Sequence, residues 1–334
     1  MSAHSDKSSY TPAAARPDRL IRHATFRQLQ IFESIYRLGS FTRAAEELFL
    51  TQPTVSMQLK KLSDAIEMPL FEHVGRRVEP TDAGNELYRA TRQVFDVLAN
   101  VEMKLADLQG LKSGRLRLGV ITTAKYLAPE ILGAFSRVYP GIELALKVTN
   151  RERIIERMQS NDDDLYIMGQ APTDDLDVKS IEFAPNPLVV MAPRDHHLVG
   201  KKNLTLKDIA AEPLIIREPG SGIRDTLLKM FSEQKLRPNI KMELGSNEAI
   251  KHAIVGGLGI SIMSLHTLRL EGPEGPVALL DVKEFPLMRS WYLVYPRGKE
   301  LSLASEAFLE FIIDQKEKVC KELHDQWPAL NLKV

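Results

Sequence analysis

Thiols are nearly absent from this 334-residue chain: Cys320 is the single cysteine. An internal disulfide is therefore excluded, and a reducing compartment fits. Long apolar runs are missing too, so no segment is expected to span a bilayer. The first two dozen residues lack the apolar core of a signal peptide and carry Lys7, Arg16, Arg19 and Arg22 among Ser, Ala and Pro. A disordered tail over residues 1–24 and a cytoplasmic location are expected. Charge of one sign is not in excess either, because 44 Lys+Arg balance 44 Asp+Glu. Residues 25–110 hold ten basic and twelve acidic residues, so any nucleic-acid partner must be met by charge placement rather than net charge.

Chemistry-bearing clusters are scarce as well. Ser221 has no histidine at motif spacing, and no acid, base and nucleophile gather, so an enzyme is not expected. His196 and His197 follow Asp195 in a loop. Adjacent residues of an extended chain point apart, so a metal site is not expected there. Gly256-Gly257-Leu258-Gly259 follows a helix and precedes a strand, the reverse of a dinucleotide fingerprint, and reads as a turn. No cofactor is expected.

What is present begins at Thr25. A Thr25-x-x-Gln28 capping box opens a helix to about Arg37, with Leu29, Phe32 and Ile35 inward and Gly39 as its stop. A second helix runs from Phe41 to Leu48, where Ala44 and Ala45 permit close crossing. Thr51 can cap a third helix, and Pro53 is tolerated in its first turn. Val55, Leu59, Leu62 and Ile66 make its apolar stripe. Pro53, Thr54, Met57, Lys60 and Lys61 lie opposite, short near the N-terminus and basic further on. Such a face suits a helix whose first turns touch base edges while its lysines meet phosphate. Leu70-Phe71 starts a strand, and Gly75-Arg76-Arg77 forms the tip of a wing that can reach phosphate or a narrow minor groove.

Thr81 can cap a long helix to about Gly110. Leu87, Val94, Leu98, Val101, Leu105 and Leu108 fall on a heptad seam with Thr91 as its polar entry, which predicts pairing with a second copy. Two-fold symmetry would match paired DNA half-sites. A hinge is expected at 110–114. Beyond it strands and helices alternate, which predicts parallel sheets covered by helices. Two lobes are expected, with crossings near Leu188–Ala192 and Tyr292–Pro296. Ligands in such architectures bind between the lobes. Strand-to-helix junctions supply candidate ligand residues there: Thr122, Thr123 and Lys125 after the first strand, Thr149 and Asn150 at a second, Ser221, Gly222 and Arg224 in the other lobe, and Asn247 at a fourth. Helix N-termini favour anions, so an acidic metabolite, a carboxylate or phosphate ester, is the expected ligand.

Residues 25–84, with Gly39-Ser-Phe-Thr-Arg-Ala-Ala-Glu-Glu-Leu48 and Thr51-Gln-Pro-Thr-Val-Ser-Met-Gln-Leu-Lys-Lys-Leu62 at their centre, resemble the winged helix-turn-helix of LysR-type transcriptional regulators, and the similarity runs to about residue 315. The resemblance implies that Gln52, Pro53, Ser56 and Met57 stand near base edges. It makes Lys60, Lys61, Arg76 and Arg77 backbone or wing contacts, and Arg43 and Thr54 belong to the same DNA-facing set. Met57 stands where the family often has Arg, and can pack on a thymine methyl. Five stretches, among them Val120-Ile-Thr-Thr-Ala-Lys-Tyr126 and Glu243-Leu-Gly-Ser-Asn-Glu-Ala-Ile-Lys251, further resemble the regulators of carbon fixation and bicarbonate uptake (the CbbR and CmpR branch). That branch implies sugar-phosphate or related effectors, an activator role, RNA polymerase as a possible partner, and a homodimer or a homotetramer built as a dimer of dimers. The implied architecture is a winged helix-turn-helix over 25–82 and a dimerisation helix over 83–112. An α/β effector domain with two Rossmann-like lobes, similar to periplasmic binding proteins, then spans 113–316. Lobe I is 113–189 with 290–316, lobe II is 190–289, and 317–334 is a C-terminal tail. A solute-binding or transport-linked protein using the two-lobed domain is the alternative reading.

Overall fold

The computed structural model describes residues 19–75, 77–108, 114–172 and 176–330. Most of the expected tail, wing residue Arg76, the side chain of Leu108 and the hinge at 110–113 lie outside the described residues. The chain divides into two compact units between Phe95 and Asp96.

The first unit holds helices α1 (Arg19–His23), α2 (Phe26–Leu38), α3 (Phe41–Glu47) and α4 (Gln52–Ile66). A two-stranded antiparallel wing follows, β1 (Phe71–Val74) and β2 (Arg77–Pro80), and then the long helix α5 (Asp82–Leu108) begins. Residues 19–23, expected within a disordered tail, are helical. The capping box of α2 forms as its spacing predicts: the Gln28 amide donates to Thr25 Oγ1 at 3.2 Å and the Thr25 amide donates to Gln28 Oε1 at 2.9 Å. Gly39 ends the helix in the left-handed region at φ 58°. Thr51 departs from expectation. Its hydroxyl caps no amide of α4 and instead meets the Thr54 hydroxyl at 2.8 Å. Ile31, Phe32, Ile35, Ala44, Val55, Leu62 and Leu70 are buried together. Gly84 fixes how α5 leaves this core. A Cβ there would lie 2.2 Å from the Leu70 carbonyl oxygen, and the Thr81 hydroxyl caps this first turn through the Gly84 amide at 3.1 Å.

The second unit begins within α5. Its first lobe is a five-stranded sheet in the order β4-β3-β5-β12-β6, from β3 (Gly114–Ile121), β4 (Ile142–Thr149), β5 (Leu165–Met168), β6 (Val178–Pro185) and β12 (Ser290–Pro296). Helices α6 (Ala128–Val138), α7 (Arg151–Gln159) and α11 (Leu303–Asp314) belong to it. The second lobe holds β7 (Leu188–Pro193), β10 (Ser261–Ser264) and β11 (Val277–Leu280) in the order β10-β7-β11, and the pair β8 (Leu214–Arg217) with β9 (Ile240–Leu244). Its helices are α8 (Leu206–Ala211), α9 (Gly222–Glu233) and α10 (Asn247–Val255).

Against the expectation of parallel sheets, the five-stranded sheet is mixed and the β10-β7-β11 sheet is wholly antiparallel, while β8 and β9 form a parallel pair. β3 is parallel to β4 and β5, but β12 runs antiparallel to β5 and β6, and β7 runs antiparallel to β10 and β11. In the first lobe the returning chain imposes this, because β12 re-enters from the second lobe without a helical crossover. The crossings also sit earlier than expected. β7 and β12 lie wholly within their own sheets, and the chain changes lobe at Asn186–Pro187 and near Leu287–Arg289. These two crossings bond to each other. The Asn186 amide donates to the Arg289 carbonyl at 2.6 Å, and Leu188 and Leu287 exchange amide-to-carbonyl bonds of 2.9 Å.

The expected tail at 317–334 is a correction. Residues Lys316–Gln326 form helix α12. Val319 packs into the first lobe's core, whereas Leu323 and Trp327 pack with Val189, Met191 and Ile254 of the second. The i, i+4 spacing of Val319 and Leu323 carries that helix.

An ion network ties the distal half of α5 to the first lobe. Arg117 bonds Asp96 and Asp164, each at 2.6 Å, and Asn161 donates to Asp96 at 2.8 Å. Burial pushes the Asp96 carboxyl up to about 6, with the Lys299 ammonium opposing the shift.

Candidate functional site

The face of α4 opposite the core is open. Gln52, Pro53, Lys60 and Lys61 are exposed, as is Met57, while Val55, Leu59 and Leu62 hold the helix to its neighbours. Gln52 donates to the Ser56 hydroxyl at 3.3 Å, so these two polar groups present one edge. Thr54 and Ser56 are half-buried beside them. Arg43 is exposed, but its guanidinium donates to the Leu38 carbonyl at the end of α2. Arg77 is exposed at the start of β2. The arrangement offers hydrogen-bonding side chains at the N-terminal turns of a protruding helix and cations further along it. That suits duplex DNA.

Along α5 the seam divides. Leu87 is buried in the first unit's core, and Thr91 is buried with it. Val94, Leu98, Val101 and Leu105 are 40–54% exposed. An apolar stripe thus faces outward on this helix, as an unpartnered seam would.

The second unit contains a solvent-open cleft lined by residues of both its lobes, the kind of place where small-molecule sites form. Segments of both lobes build it. Thr122 and Thr123 open a short 3₁₀ turn, Thr122–Tyr126, after β3. Thr122 donates to the Thr149 carbonyl at 3.1 Å. Asn150 caps α7 by accepting from the Arg153 amide at 3.0 Å, and Arg151 follows it into the cleft. From the other lobe come Ser221, Gly222 and Ile223. The buried Ser221 hydroxyl makes no cap bond, which leaves the first-turn amides of α9 without a side-chain partner among the described residues.

Three guanidiniums line this space, Arg151, Arg217 and Arg289. Arg217 is compensated: it binds Glu218 at 2.7 and 2.9 Å and donates to Asn247 Oδ1 at 2.7 Å. The other two meet no carboxylate within ion-pair distance among the described residues. Arg151 donates to the Gln170 carbonyl at 3.2 Å. Arg289 donates to Gln170 Oε1 at 2.7 Å and Thr226 Oγ1 at 3.0 Å, so it joins the lobes. Burial holds both guanidiniums below their ordinary value, and the Arg151 charge pushes Arg289 further down while Asp225 partly supports Arg151. Two desolvated like charges beside free helix amides make a cleft complementary to an anion.

Of the residues anticipated here, Thr122, Thr123, Asn150, Ser221 and Gly222 line the cleft. Thr149 contributes its carbonyl, and Asn247 sits behind Arg217, with its amide 3.5 Å from Thr123 Oγ1. Lys125 and Arg224 are corrections. The Lys125 ammonium lies 5.0 Å above the Tyr126 ring. Arg224 turns to Glu243 and to the Arg217 carbonyl at 2.8 Å. These contacts occupy both cations, and neither side chain lines the cleft. Arg151, Arg217, Gln170 and Arg289 were not anticipated. Arg217 ends a strand of a parallel pair, where ligand residues collect, and Arg151 follows an N-cap. Arg289 lies on a crossing and carries no local signal.

Outside the cleft, the lobes meet through Tyr126, which donates to Glu248, and Arg269, which bonds Glu130 and Glu322. Behind the cleft, Ser264 donates to Asn186 Oδ1 at 2.6 Å. His266, wholly buried, bonds the Pro185 carbonyl through Nε2 at 2.9 Å.

Comparison with known proteins agrees with both parts. Residues 26–85 match the model for bacterial regulatory helix-turn-helix proteins of the lysR family, and residues 109–317 match the LysR substrate binding domain. The HTH-type transcriptional activator CmpR of Synechocystis is 49% identical over 299 residues, covering 90% of this chain and 98% of that protein. The RuBisCO operon transcriptional regulator of Acidithiobacillus ferrooxidans is 44% identical, covering 87% and 94%. Among solved structures, the Synechocystis PCC6803 CcmR regulatory domain in complex with 2-PG is 47% identical with a TM-score of 0.60, covering 62% of this chain and all of that one. The chain belongs to the LysR family of bacterial helix-turn-helix regulators.

Proposed function

We propose that this protein is a cytoplasmic transcriptional activator of carbon-fixation or inorganic-carbon uptake genes. Its effector is a small metabolite bearing phosphate and carboxylate groups, held in the interlobe cleft. The observation that carries the effector assignment is the pair Arg151 and Arg289, desolvated and, among the described residues, without a carboxylate at ion-pair distance, beside the N-terminus of α9, where Ser221 makes no side-chain cap bond. The CcmR domain holding 2-PG and the CmpR and RuBisCO-operon relatives support the gene class and the ligand class. Gln52, Pro53, Thr54, Ser56 and Met57 read base edges in this account, while Arg43, Lys60, Lys61, Arg76 and Arg77 hold the phosphate backbone. The outward stripe Val94, Leu98, Val101 and Leu105 pairs two copies, which brings two reading heads to one operator.

Effector binding shifts the balance between two lobe arrangements, because a ligand bridging both lobes binds the closed one better. Calorimetric titration of the full-length chain with 2-phosphoglycolate, ribulose bisphosphate and a non-phosphorylated dicarboxylate tests the assignment. Saturable binding of a phosphorylated acid, with none of the dicarboxylate, is the expected pattern. A gel shift on DNA upstream of carbon-fixation or bicarbonate-uptake genes tests the rest, and failure to bind at low salt overturns it.

A further inference from the structure

The sequence alone gave no reason to join His196 and His197 to a third ligand. The fold supplies one. Both rings lie in the turn after β7 and face Glu212, which ends α8. His197 Nε2 is 3.1 Å from Glu212 Oε1, and His196 Nε2 is 3.5 Å from Glu212 Oε2. The two imidazoles sit side by side, with centroids 4.5 Å apart and planes tilted by 32°. One ligand atom from each of the three residues falls within 4.8 Å of the others.

We propose that His196, His197 and Glu212 form a binding site for a divalent transition ion of the zinc class, separate from the effector cleft. The argument is geometric. Metal–nitrogen and metal–oxygen bonds of about 2.0–2.2 Å at tetrahedral angles place neighbouring ligand atoms about 3.3–3.5 Å apart. Each ring already meets one oxygen of the Glu212 carboxylate at nearly that distance, and one ligand atom from each residue lies within 4.8 Å of the others, so an ion enters by drawing the three side chains together in place of the contacts to Glu212.

The scaffold is fixed. The His196 amide donates to the Pro193 carbonyl at 3.1 Å, its carbonyl accepts from Val199 at 2.8 Å, and the Glu212 amide donates to Ile209 at 3.2 Å. His196 and Glu212 side chains are 14% and 17% exposed, whereas His197 is 62% exposed. Two ligands are thus held and the third is free to adjust. The solvent side leaves the fourth position to water. The donor set selects the ion: two imidazoles and one carboxylate suit Zn²⁺, Co²⁺, Ni²⁺ or Cu²⁺, while Mg²⁺ and Ca²⁺ prefer oxygen ligands throughout. Asp195 adds negative charge next to the rings. An ion held here clips the turn after β7 to the end of α8, joining two elements of the second lobe.

The test is titration of the untagged full-length protein with Co²⁺, followed by its visible d–d absorbance, then displacement by Zn²⁺. His197→Ala and Glu212→Gln serve as variants, since both positions reach the surface and circular dichroism verifies their fold. The expected result is one Co²⁺ per chain in a tetrahedral spectrum, displaced by Zn²⁺, with affinity at least tenfold weaker in each variant. The chain has eight histidines, so equal uptake by wild type and both variants places the ion elsewhere and overturns the proposal. Absence of uptake by the wild type also overturns it, and leaves the three residues as a hydrogen-bonded cluster only.

Discussion

Replacing Arg151 with glutamine should separate ligand recognition from stability, because the two respond in opposite directions. Arg151 is the first residue of α7, where its positive charge opposes the helix dipole. It also repels Arg289 across the cleft. Relief of the dipole term alone is worth about 0.3–1 kcal/mol. The exposed 3.2 Å bond to the Gln170 carbonyl that is lost offsets a few tenths of that. For a domain of this size about 1 kcal/mol moves the melting temperature by roughly 2–4 °C, so the unliganded variant should melt about 1–2 °C higher. An anion in the cleft loses one charge-assisted bond, about 1.5–3 kcal/mol, which is a roughly 10- to 150-fold weaker Kd. Differential scanning fluorimetry without ligand and calorimetry with 2-phosphoglycolate read the two quantities on the same samples. A variant that melts several degrees lower and binds with unchanged affinity would show that Arg151 is structural and the cleft argument wrong.

Three further outcomes are expected. His266 is buried neutral, and burial holds its imidazole down to about 4 against an ordinary 6.5. The unfolded chain therefore takes up this proton first, so the ring's contribution is intact above about pH 6.5 and lost as pH falls towards 4, about 3 kcal/mol in all. Asp96 acts with the opposite sign over an overlapping range, since its folded value is raised. The pH-dependence of urea midpoints should thus be compared between wild type and His266→Gln, and identical slopes would refute the assignment. Lys60→Ala and Lys61→Ala should each weaken DNA binding regardless of sequence and reduce the slope of log K against log salt by about 0.9, measured by fluorescence anisotropy. Leu98→Asp together with Val101→Asp should leave helicity intact and shift sedimentation towards smaller species; unchanged oligomers would reassign that stripe.

The amino-terminal unit was legible because its determinants are local. A capping box, a small-residue crossing and a proline in a first turn are all read within ten residues, and Thr51 failed only in which group its hydroxyl meets. The effector unit was legible where strands and helices alternate, from β3 to β5. It was less so for β6 and β11, whose identity depends on partners far along the chain. β6 pairs β12 across more than a hundred residues, and β11 is four residues long. The site shows the same division. Junction residues such as Thr122 and Ser221 follow from strand-to-helix chemistry. The choice of Arg151 and Arg289 over Arg224 depends on which way each side chain leaves its element, and only the packed fold decides that. Histidines 196 and 197 diverge in an extended strand but converge in a turn, so the backbone conformation decides whether they can act together.

Helix α12 has a consequence for how the cleft works. Its Val319 is lodged in one lobe and its Leu323 and Trp327 in the other, like a rivet through two plates. Free swinging about the paired crossings would tear one end loose, exposing side chains each worth about 1.5–3 kcal/mol when buried. Closure of the lobes on an effector is therefore held to small repacking steps. Effector occupancy would then be registered as a modest, stiff displacement, suited to resetting the grip of an assembled regulator rather than to engulfing a ligand.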